Sequence, residues 1–592
     1  MPTDGTDWAH RRGPEWLLAG LAAVVFLGGL GSVELWGKRE QRASAEAIDT
    51  IQNHHWLIAE IQGRPRLEKP PLPRWTIAAL MTVLGRQDER VVRLPSALSA
   101  LGMVWLTYAL GRRIGGRSAG LASGLALCAS AFFISEVRQA GNDGPLAFFT
   151  TLALYAAWRR LHDEGESRLG GRGWSVLMWV AMGLGFLCKG PVVLPLVALA
   201  VVPYLALSKR LREGMAALAD WRGISAFVLL ALSWPVPVLI ADPTAARVWY
   251  MEMAQKAGTA GITHHRNRGV LAQEWPWMAA PWSVLGLLAI VSPLAARDRH
   301  ERPGVWFPWC WALGNLLMFC CWKVAKPNYY LPCLPAVALL VGVEWVRLCR
   351  SARGEGRGSS AARWVLLSHA GVLLAAAVAG PFAAGWLAPE ALGWASLASA
   401  SVGLGVVAGI WAWRKGADAM AMAPVVGAAA VSVVVGYGAI APAYNPARSH
   451  RELAAALGHL LPASTHTVMF HKELDEGLWF YLRDRILAPV PGTQPRYNDG
   501  FDIQEDFERG KYRTVEERIA HEKQVLLDWL HEPRAAEQYL LIRAKTLGVL
   551  GLNLDGLAEP VLVERDLRRN ELMLLRVPRR EVVAGRAEPI LK

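Results

Sequence analysis

Residues 174–207 read WSVLMWVAMGLGFLCKGPVVLPLVALAVVPYLAL, two apolar runs that are separated by a single charged residue, Lys189. Each run approaches the roughly 20 residues that a helix needs to cross a bilayer. Comparable runs recur along the 592 residues, which are 53% hydrophobic, contain 27 tryptophans and have a mean hydropathy of +0.22. This composition excludes a single soluble domain and predicts a protein that crosses the membrane many times.

The predicted fold is mainly α, a polytopic transmembrane helical bundle with periplasmic amphipathic helices and a C-terminal α/β soluble domain. About thirteen stretches are near the length of a span: 15–34, 92–111, 117–135, 144–159, 174–188, 190–207, 224–241, 276–296, 305–321, 329–347, 363–383, 388–413 and 420–440. After residue 441 a helical pattern at 449–461 and β-like runs at 466–470, 538–543 and 571–577 predict the soluble domain.

The distribution of basic residues predicts the orientation, because lysine and arginine near span ends favour the cytoplasmic side. Placing Arg11 and Arg12 inside also places the other basic loops inside. Those loops surround Arg112, Arg159, Lys209, Arg297, Arg350 and Arg414. The alternation leaves loops 35–91, 136–143, 242–275 and 322–328 outside. We therefore expect a cytoplasmic N-terminus and a C-terminal domain on the outside. Because the chain lacks glycosylation-rich loops and carries a compact tail of periplasmic type, we expect a bacterial inner-membrane protein whose C-terminal domain is periplasmic.

The same pattern predicts the domain organisation. Residues 1–350 form a catalytic transmembrane module with a large first periplasmic loop at 35–91. Residues 351–362, SARGEGRGSSAA, have the composition of a cytoplasmic linker. C-terminal transmembrane helices follow at 363–441, and a periplasmic α/β domain occupies 442–592.

The net charge of +13 is concentrated in the cytoplasmic loops, so it reflects membrane topology and predicts no nucleic-acid partner. The seven cysteines all precede the C-terminal domain and form no CxxC pair. That domain is therefore predicted to fold without disulfides.

Isolated ionisable residues stand at the outer ends of the apolar runs, where burying a charge costs about 3 kcal/mol. Glu68 and Lys69 lie in LEKPP at 67–71, whose prolines fix an extended backbone. Lys189 lies in GFLCKGP at 185–191, where glycine and proline predict a helix break. Lys189 either extends to the membrane surface or meets a phosphate, and Glu68 with Lys69 forms either an incidental ion pair or part of a site.

Three further outside segments, at 137–145, 264–268 and 323–332, carry candidate residues. These are Arg138, Asp143, His264, His265, Arg266, Lys326 and Tyr330. Helix capping by Asp143, a solvated basic loop and an aromatic belt are the competing interpretations. Taken together, the cations suit a lipid phosphate, and a carboxylate suits removal of a proton from an acceptor hydroxyl.

A series of motifs carries a family resemblance. In order these are LW…E-x-R, HWL, LEKPPL, VRLPSAL, D-x-P-L-x-F-F, GFLCKGP, an outside His-Arg loop and K-x-x-Y-x-L-P. The series resembles the integral-membrane glycosyltransferases that use a polyprenyl-phosphate sugar, the group of the aminoarabinose transferase ArnT and the protein O-mannosyltransferases. The resemblance covers about residues 14–345 in register and the C-terminal part more loosely. LEKPPL together with GFLCKGP is its most specific part.

The resemblance implies roles for single residues. In this family an Asp-Glu pair after Leu-Trp activates the acceptor, whereas here LWGKREQR at 35–42 places Arg39 at the Asp position and Glu40 at the Glu position. We therefore expect Glu40, Asp143 and Glu68 to be the catalytic candidates, with Glu46 as another possible base. The residues expected to bind the donor phosphate are Lys69, Arg138, Lys189, Lys326, Tyr330 and Arg266.

The sequence thus predicts an inverting glycosyltransferase. It would move a sugar from an undecaprenyl-phosphate carrier to an envelope lipid such as lipid A, a glycan or a protein hydroxyl. No cofactor is expected to be required, although Glu68 with His264 or His265 could hold a divalent cation.

Two alternatives remain. Arg39 in the acid position suits a catalytically weakened paralogue that acts as an envelope-binding subunit. A transporter of lipid-linked sugars would also need outward-facing cations, but it should carry ionisable residues across the bilayer midplane and both faces.

Overall fold

The structure is a computed structural model that describes residues 12–61, 64–163, 170–257, 267, 269–295, 303–354, 359–471, 476–492, 512–565 and 571–580. The chain divides into two compact units. The helical unit comprises Met1–Val33 and Leu67–Ala443, and the sheet unit comprises Glu34–Arg66 and Tyr444–Lys592. The predicted organisation kept the whole loop 35–91 with the transmembrane module, whereas this division assigns its first part to the sheet unit.

The described part of the helical unit is built mainly from α-helices. Its helices are α1 (Gly13–Leu27), α3 (Leu72–Leu84), α4 (Glu89–Ala129), α5 (Ala131–Val137), α6 (Asp143–His162), α7 (Gly170–Lys189), α8 (Val193–Leu207), α9 (Leu211–Leu218), α10 (Trp221–Leu232), α11 (Pro235–Ala241), α12 (Ala245–Ala257), α13 (Val270–Met278), α14 (Ser283–Ala295), α15 (Trp306–Cys321), α16 (Leu334–Ala352), α17 (Ser359–Leu387), α18 (Leu392–Arg414) and α19 (Ala423–Val435). Short 3₁₀ turns at Gly190–Val192 and Pro327–Cys333 interrupt this series.

The predicted count of about 13 spans is not confirmed. Among the described residues seven helices are long and apolar enough to cross a membrane, or eight if the bent pair α13 and α14 counts as one span. Each predicted stretch overlaps a helix, but some of these helices, such as Gly13–Leu27 and Trp306–Cys321, are short for a span. Helix α4 is two helices that meet at a kink at Gly116, whose φ of 82° favours glycine.

Close helix contacts in this unit depend on small residues. Gly342 of α16 lies so near α4 that a methyl group there would be 2.4 Å from the backbone nitrogen of Ser123. The Ser123 hydroxyl donates to the Ala119 carbonyl of its own helix at 2.7 Å. Small side chains of this kind let transmembrane helices approach closely enough for dispersion forces to hold them together.

The sheet unit contains a five-stranded sheet in the order β4-β3-β5-β7-β6. Strands β3 and β4 are parallel, as are β3 and β5, while β7 runs antiparallel to β5 and β6. The elements of the unit are α2 (Lys38–Gln52), β1 (Glu60–Ile61), β2 (Arg64–Pro65), α20 (Asn445–Arg448), α21 (Arg451–Leu460), β3 (Thr467–Phe470), α22 (Glu476–Tyr481), β4 (Ile486–Pro489), α23 (Val515–His531), β5 (Gln538–Arg543), α24 (Ala544–Leu550), β6 (Glu559–Arg565) and β7 (Glu571–Val577).

The central strand β5 is apolar on both faces, and this pattern creates two cores. Tyr539 and Leu541 join one buried cluster, which includes residues of α21 and α22. Leu540 and Ile542 join the other, which includes residues of α23 and α24. Because side chains alternate along a strand, a continuous apolar run needs cover on both sides. The predicted fold class, a helical bundle with a small α/β domain, is confirmed.

Helix α2 is attached to the C-terminal part of the chain within the sheet unit. Arg42 donates to the Glu476 carboxylate from Nη2 at 2.8 Å and from Nε at 3.2 Å. Gln41 donates to the Leu35 carbonyl at 2.9 Å. The Arg42–Glu476 contact therefore joins the first part of the loop 35–91 to a segment more than four hundred residues further along the chain.

Candidate functional site

The ends of helices α6 and α7 bring together the first group of charged residues. Helix α6 begins at Asp143 and helix α7 ends at Lys189. An acid in a first turn and a base in a last turn each complement the helix dipole. Asn142 donates to the Cys188 carbonyl at 3.0 Å, which joins the start of one helix to the end of the other. The two helices therefore run antiparallel, and their charged ends meet.

Asp143 and Lys189 form a salt bridge that is nearly buried, with side-chain exposures of 10% and 14%. Asn328, in the 3₁₀ turn before α16, donates its amide to the second Asp143 oxygen at 2.7 Å. The Lys189 ammonium also lies 4.2 Å from the centre of the Tyr329 ring. The helix break predicted at Lys189 is present, since Gly190 has a φ of 72° and the turn Gly190–Val192 follows.

A second group forms where the segment after the first loop meets helix α12. Trp249 donates to the Leu67 carbonyl at 2.7 Å, which fixes α12 beside this segment. Lys69 then forms a salt bridge with Glu252. Glu252 also accepts from Lys256, one helical turn away, at 3.3 Å. One carboxylate therefore lies between two ammonium groups.

Electrostatic effects connect the two groups. Burial lowers the pKa of Lys256 to about 8; Glu252 opposes this shift, and the positive charges of Lys69 and Lys189 add to it. Burial alone would raise the pKa of Glu252, but the charges of Lys69 and Lys256 hold it below its ordinary value. The three lysines are thus near enough to act on one another. We call Lys69, Lys189 and Lys256 the lysine cluster.

The lysine cluster contains more positive than negative charge. In the ion pairs of the described residues, two carboxylates, Asp143 and Glu252, lie against the three ammonium groups. An anion placed among the lysines would relieve their mutual repulsion and accept charge-assisted hydrogen bonds. The arrangement can therefore bind a phosphate group and stabilise the charge of a phosphate leaving group.

Arg138 has contacts of a different kind. It is 1% exposed and donates to the carbonyls of Val25 and Gly28 at 2.6 and 2.7 Å. Its guanidinium also lies 4.2 Å from the centre of the Tyr437 ring. Because the last carbonyls of a helix lack partners within it, these bonds give Arg138 a structural role at the end of α1. Its predicted phosphate contact stays a prediction.

The remaining candidates occupy several environments. Glu68 and Lys326 are half-buried in the helical unit. Tyr330 is fully buried, with its ring 5.4 Å from that of Phe319. Glu40 is 2% exposed in the first turn of α2 and belongs to the sheet unit. The roles predicted for these residues stay predictions.

The predicted metal ligands cannot be placed. His264, His265 and Arg266 lie outside the described residues. Across the described ranges, no group of three or more histidine, cysteine or acidic residues could hold a metal ion. The expectation that no cofactor is required, like the divalent cation that Glu68 could help to hold, stays a prediction.

Three residues of the site escaped the sequence interpretation: Glu252, Lys256 and Asn328. The first two have the i, i+4 spacing of a helical ion pair, which is a weak signal because most such pairs lie on solvated surfaces. Asn328 lies in the motif K-x-x-Y-x-L-P at 326–332, at a position that the motif leaves unspecified. Their burial, which only the structure shows, distinguishes these three residues from ordinary surface residues.

Comparison with known proteins agrees with the motifs. Residues 68–240 match the family model of the dolichyl-phosphate-mannose-protein mannosyltransferases, a range that includes Lys69, Asp143 and Lys189. The chain resembles the polyprenyl-phosphate-sugar-dependent membrane glycosyltransferases. The resemblance predicted from sequence is thereby confirmed.

Curated transferases are also similar to this chain in sequence. The undecaprenyl phosphate-alpha-4-amino-4-deoxy-L-arabinose arabinosyl transferase of Pseudomonas savastanoi pv. phaseolicola is 28% identical over 57% of this chain and 62% of its own length. The enzyme of the same name from Pseudomonas paraeruginosa is 30% identical over 58% of this chain and 63% of its own length. The chain thus spans about three fifths of the curated relatives it matches.

A solved structure shares the fold. The crystal structure of ArnT from Cupriavidus metallidurans bound to undecaprenyl phosphate has a TM-score of 0.76, with 20% identity over 95% of this chain and 98% of that one. Its apo state has the same TM-score and identity over 97% of this chain. Together with the long apolar helices, this likeness identifies the chain as a multi-pass membrane protein.

Proposed function

We propose that this chain is a glycosyltransferase of the bacterial inner membrane that takes its sugar from a polyprenyl phosphate. The acceptor would be an envelope lipid such as lipid A, a glycan or a protein hydroxyl, on the periplasmic side. The observation that carries the proposal is the lysine cluster, in which three cations lie against two carboxylates in the ion pairs of the described residues.

In the proposed reaction the acceptor oxygen attacks the anomeric carbon and the bond to the phosphate oxygen breaks. The electron pair of that bond leaves with the carrier phosphate, whose charge the lysine cluster stabilises. Inversion follows from a single displacement. The acceptor proton passes to a carboxylate.

The carboxylates have different environments, and this supports different roles. Both oxygens of Asp143 are engaged, one by Lys189 and one by Asn328, so we assign Asp143 to orienting the cluster. Proton removal then falls to Glu68, the predicted base that belongs to the same helical unit as the lysine cluster. The same role predicted for Glu40 or Glu46 stays a prediction.

The test is transfer of radiolabelled sugar from mixed polyprenyl-phosphate sugars by purified protein in detergent, with native membranes as acceptor. We expect product with the wild type and at least a hundredfold less with Lys256→Gln, since a charge-assisted bond contributes about 3 kcal/mol. Lys209→Gln is the matched control, because Lys209 is an exposed lysine outside the cluster. Equal activity of the two variants would exclude the lysine cluster as the phosphate site.

Arg39 supplies the test of the weakened paralogue, because it stands where the family has an aspartate. If the native chain is impaired, Arg39→Asp should raise its transfer rate at least tenfold. If the wild type forms product and Arg39→Asp has an unchanged or lower transfer rate, this alternative is excluded. Product formation by the wild type also excludes a protein that only transports its ligand.

A further inference from the structure

A cavity that is partly open to its surroundings lies among the later helices of the helical unit. Its lining includes Trp282, Trp345, Leu366, His369, Trp413 and Val425. Apart from Trp282, these residues belong to α16, α17, α18 and α19, all within candidate membrane spans. Such a lining suits a hydrocarbon chain.

His369 gives this cavity a polar contact point. The residue is 9% exposed, and its ring stacks on Trp282 with a centroid distance of 5.3 Å. Its Nε2 has no hydrogen-bond partner among the described residues. Leaving a buried polar atom unsatisfied costs about 1–3 kcal/mol, so a ligand that bonds to Nε2 would recover that energy.

Basic residues lie within one to six positions of residues that line the cavity. Arg414 and Lys415 directly follow Trp413, and Arg353 comes one helical turn after Cys349, another lining residue. Arg363 precedes His369 on α17 by six residues, about 9 Å along the helix axis. With Arg350 these residues form what we call the basic rim.

The basic rim has excess positive charge. Asp418 pairs with Arg353 at 2.9 Å and lies 3.9 Å from Arg350. Arg350, Arg363, Arg414 and Lys415 are exposed. Basic pockets between transmembrane helices attract anionic lipid head groups.

We propose that this cavity binds one acyl chain of an anionic glycerophospholipid. The phosphate would lie at the basic rim, and an ester carbonyl would accept a hydrogen bond from His369 Nε2–H. The ester distinguishes this ligand from a polyprenyl chain, which carries no carbonyl to satisfy His369. None of the lining residues belongs to the lysine cluster, so the site is separate from the proposed donor site.

The experiment is native mass spectrometry of protein released from nanodiscs of equal parts phosphatidylglycerol and phosphatidylcholine. We expect the wild type to retain phosphatidylglycerol preferentially. Ala370→Phe fills the cavity and should remove the retained lipid, whereas Ala376→Phe, on an exposed part of the same helix, should not. The proposal would be overturned if the wild type retained the two lipids equally. It would also be overturned if the two variants retained equal amounts of phosphatidylglycerol.

A second variant covers the case in which Ala370→Phe does not fold. His369→Leu keeps most of the side-chain volume and removes the hydrogen bond, so retention should fall about fivefold. Unchanged retention would overturn the assigned role of His369 and the proposal with it. A retained mass that corresponds to a polyprenyl phosphate in place of a phospholipid would do the same.

Discussion

From the lysine cluster we expect the affinity of the protein for the carrier phosphate to fall as the pH rises through 8. Lys256 is the group responsible, because burial lowers its pKa to about 8. Below that pH its ammonium is charged and can bind phosphate. Above that pH the free protein has lost the proton, and binding must first restore it.

The magnitude follows from proton linkage. A bound phosphate returns the lysine pKa toward its ordinary value, so the dissociation constant rises with the fraction of free protein that is deprotonated. For a pKa of about 8, Kd should increase about tenfold between pH 7 and pH 9, or about 1.4 kcal/mol. The ligand adds little over this interval, because the second pKa of a phosphate monoester is about 6.

The assay is titration of the purified protein with undecaprenyl phosphate at half-unit steps from pH 7 to pH 9. Lys256→Arg is the matched variant, since an arginine stays charged throughout this interval. Its profile should be flat whatever its absolute affinity. A flat wild-type profile would refute the reasoning, and so would the same tenfold increase in the arginine variant.

Three further predictions concern stability, each measured as thermal or denaturant unfolding of the full chain in detergent. Lys189→Met should lower the free energy of unfolding by about 3–5 kcal/mol, because it leaves Asp143 buried without its cation. Adding Asp143→Asn should recover most of this stability without restoring transfer. A double variant no more stable than the single one would contradict the ion pair. Gly342→Ala should lower the free energy of unfolding by about 1–3 kcal/mol, because its methyl group would meet the backbone of α4. Gly371→Ala is the control and should be neutral, because nothing lies within 4 Å of the added methyl group. Equal effects of the two variants would contradict the close helix contact. Leu541→Ala should cost about 2–5 kcal/mol because this side chain is 1% exposed in the core of the sheet unit, and a loss below 1 kcal/mol would contradict that burial.

The sequence alone located the elements whose signals are local. The apolar run at 190–207 contains helix α8 (Val193–Leu207), and the β-like runs at 538–543 and 571–577 became β5 and β7. The helix break at Lys189 was also readable, because glycine and proline act on the backbone of their immediate neighbours. The number of spans was not, since some predicted stretches form helices that are short for a span, such as Gly13–Leu27 and Trp306–Cys321.

Only the tertiary structure decided which charged residues share a site. Lys69 and Glu252 are 183 positions apart, and Arg42 and Glu476 are 434 apart, so no local pattern could pair them. The low pKa of Lys256 likewise has no local cause, because burial and the charges of other segments produce it. The sequence determined which residues prefer the membrane and which carry charge. Folding determined which charges meet, because desolvation and Coulomb forces depend on distances that exist only once the helices have assembled.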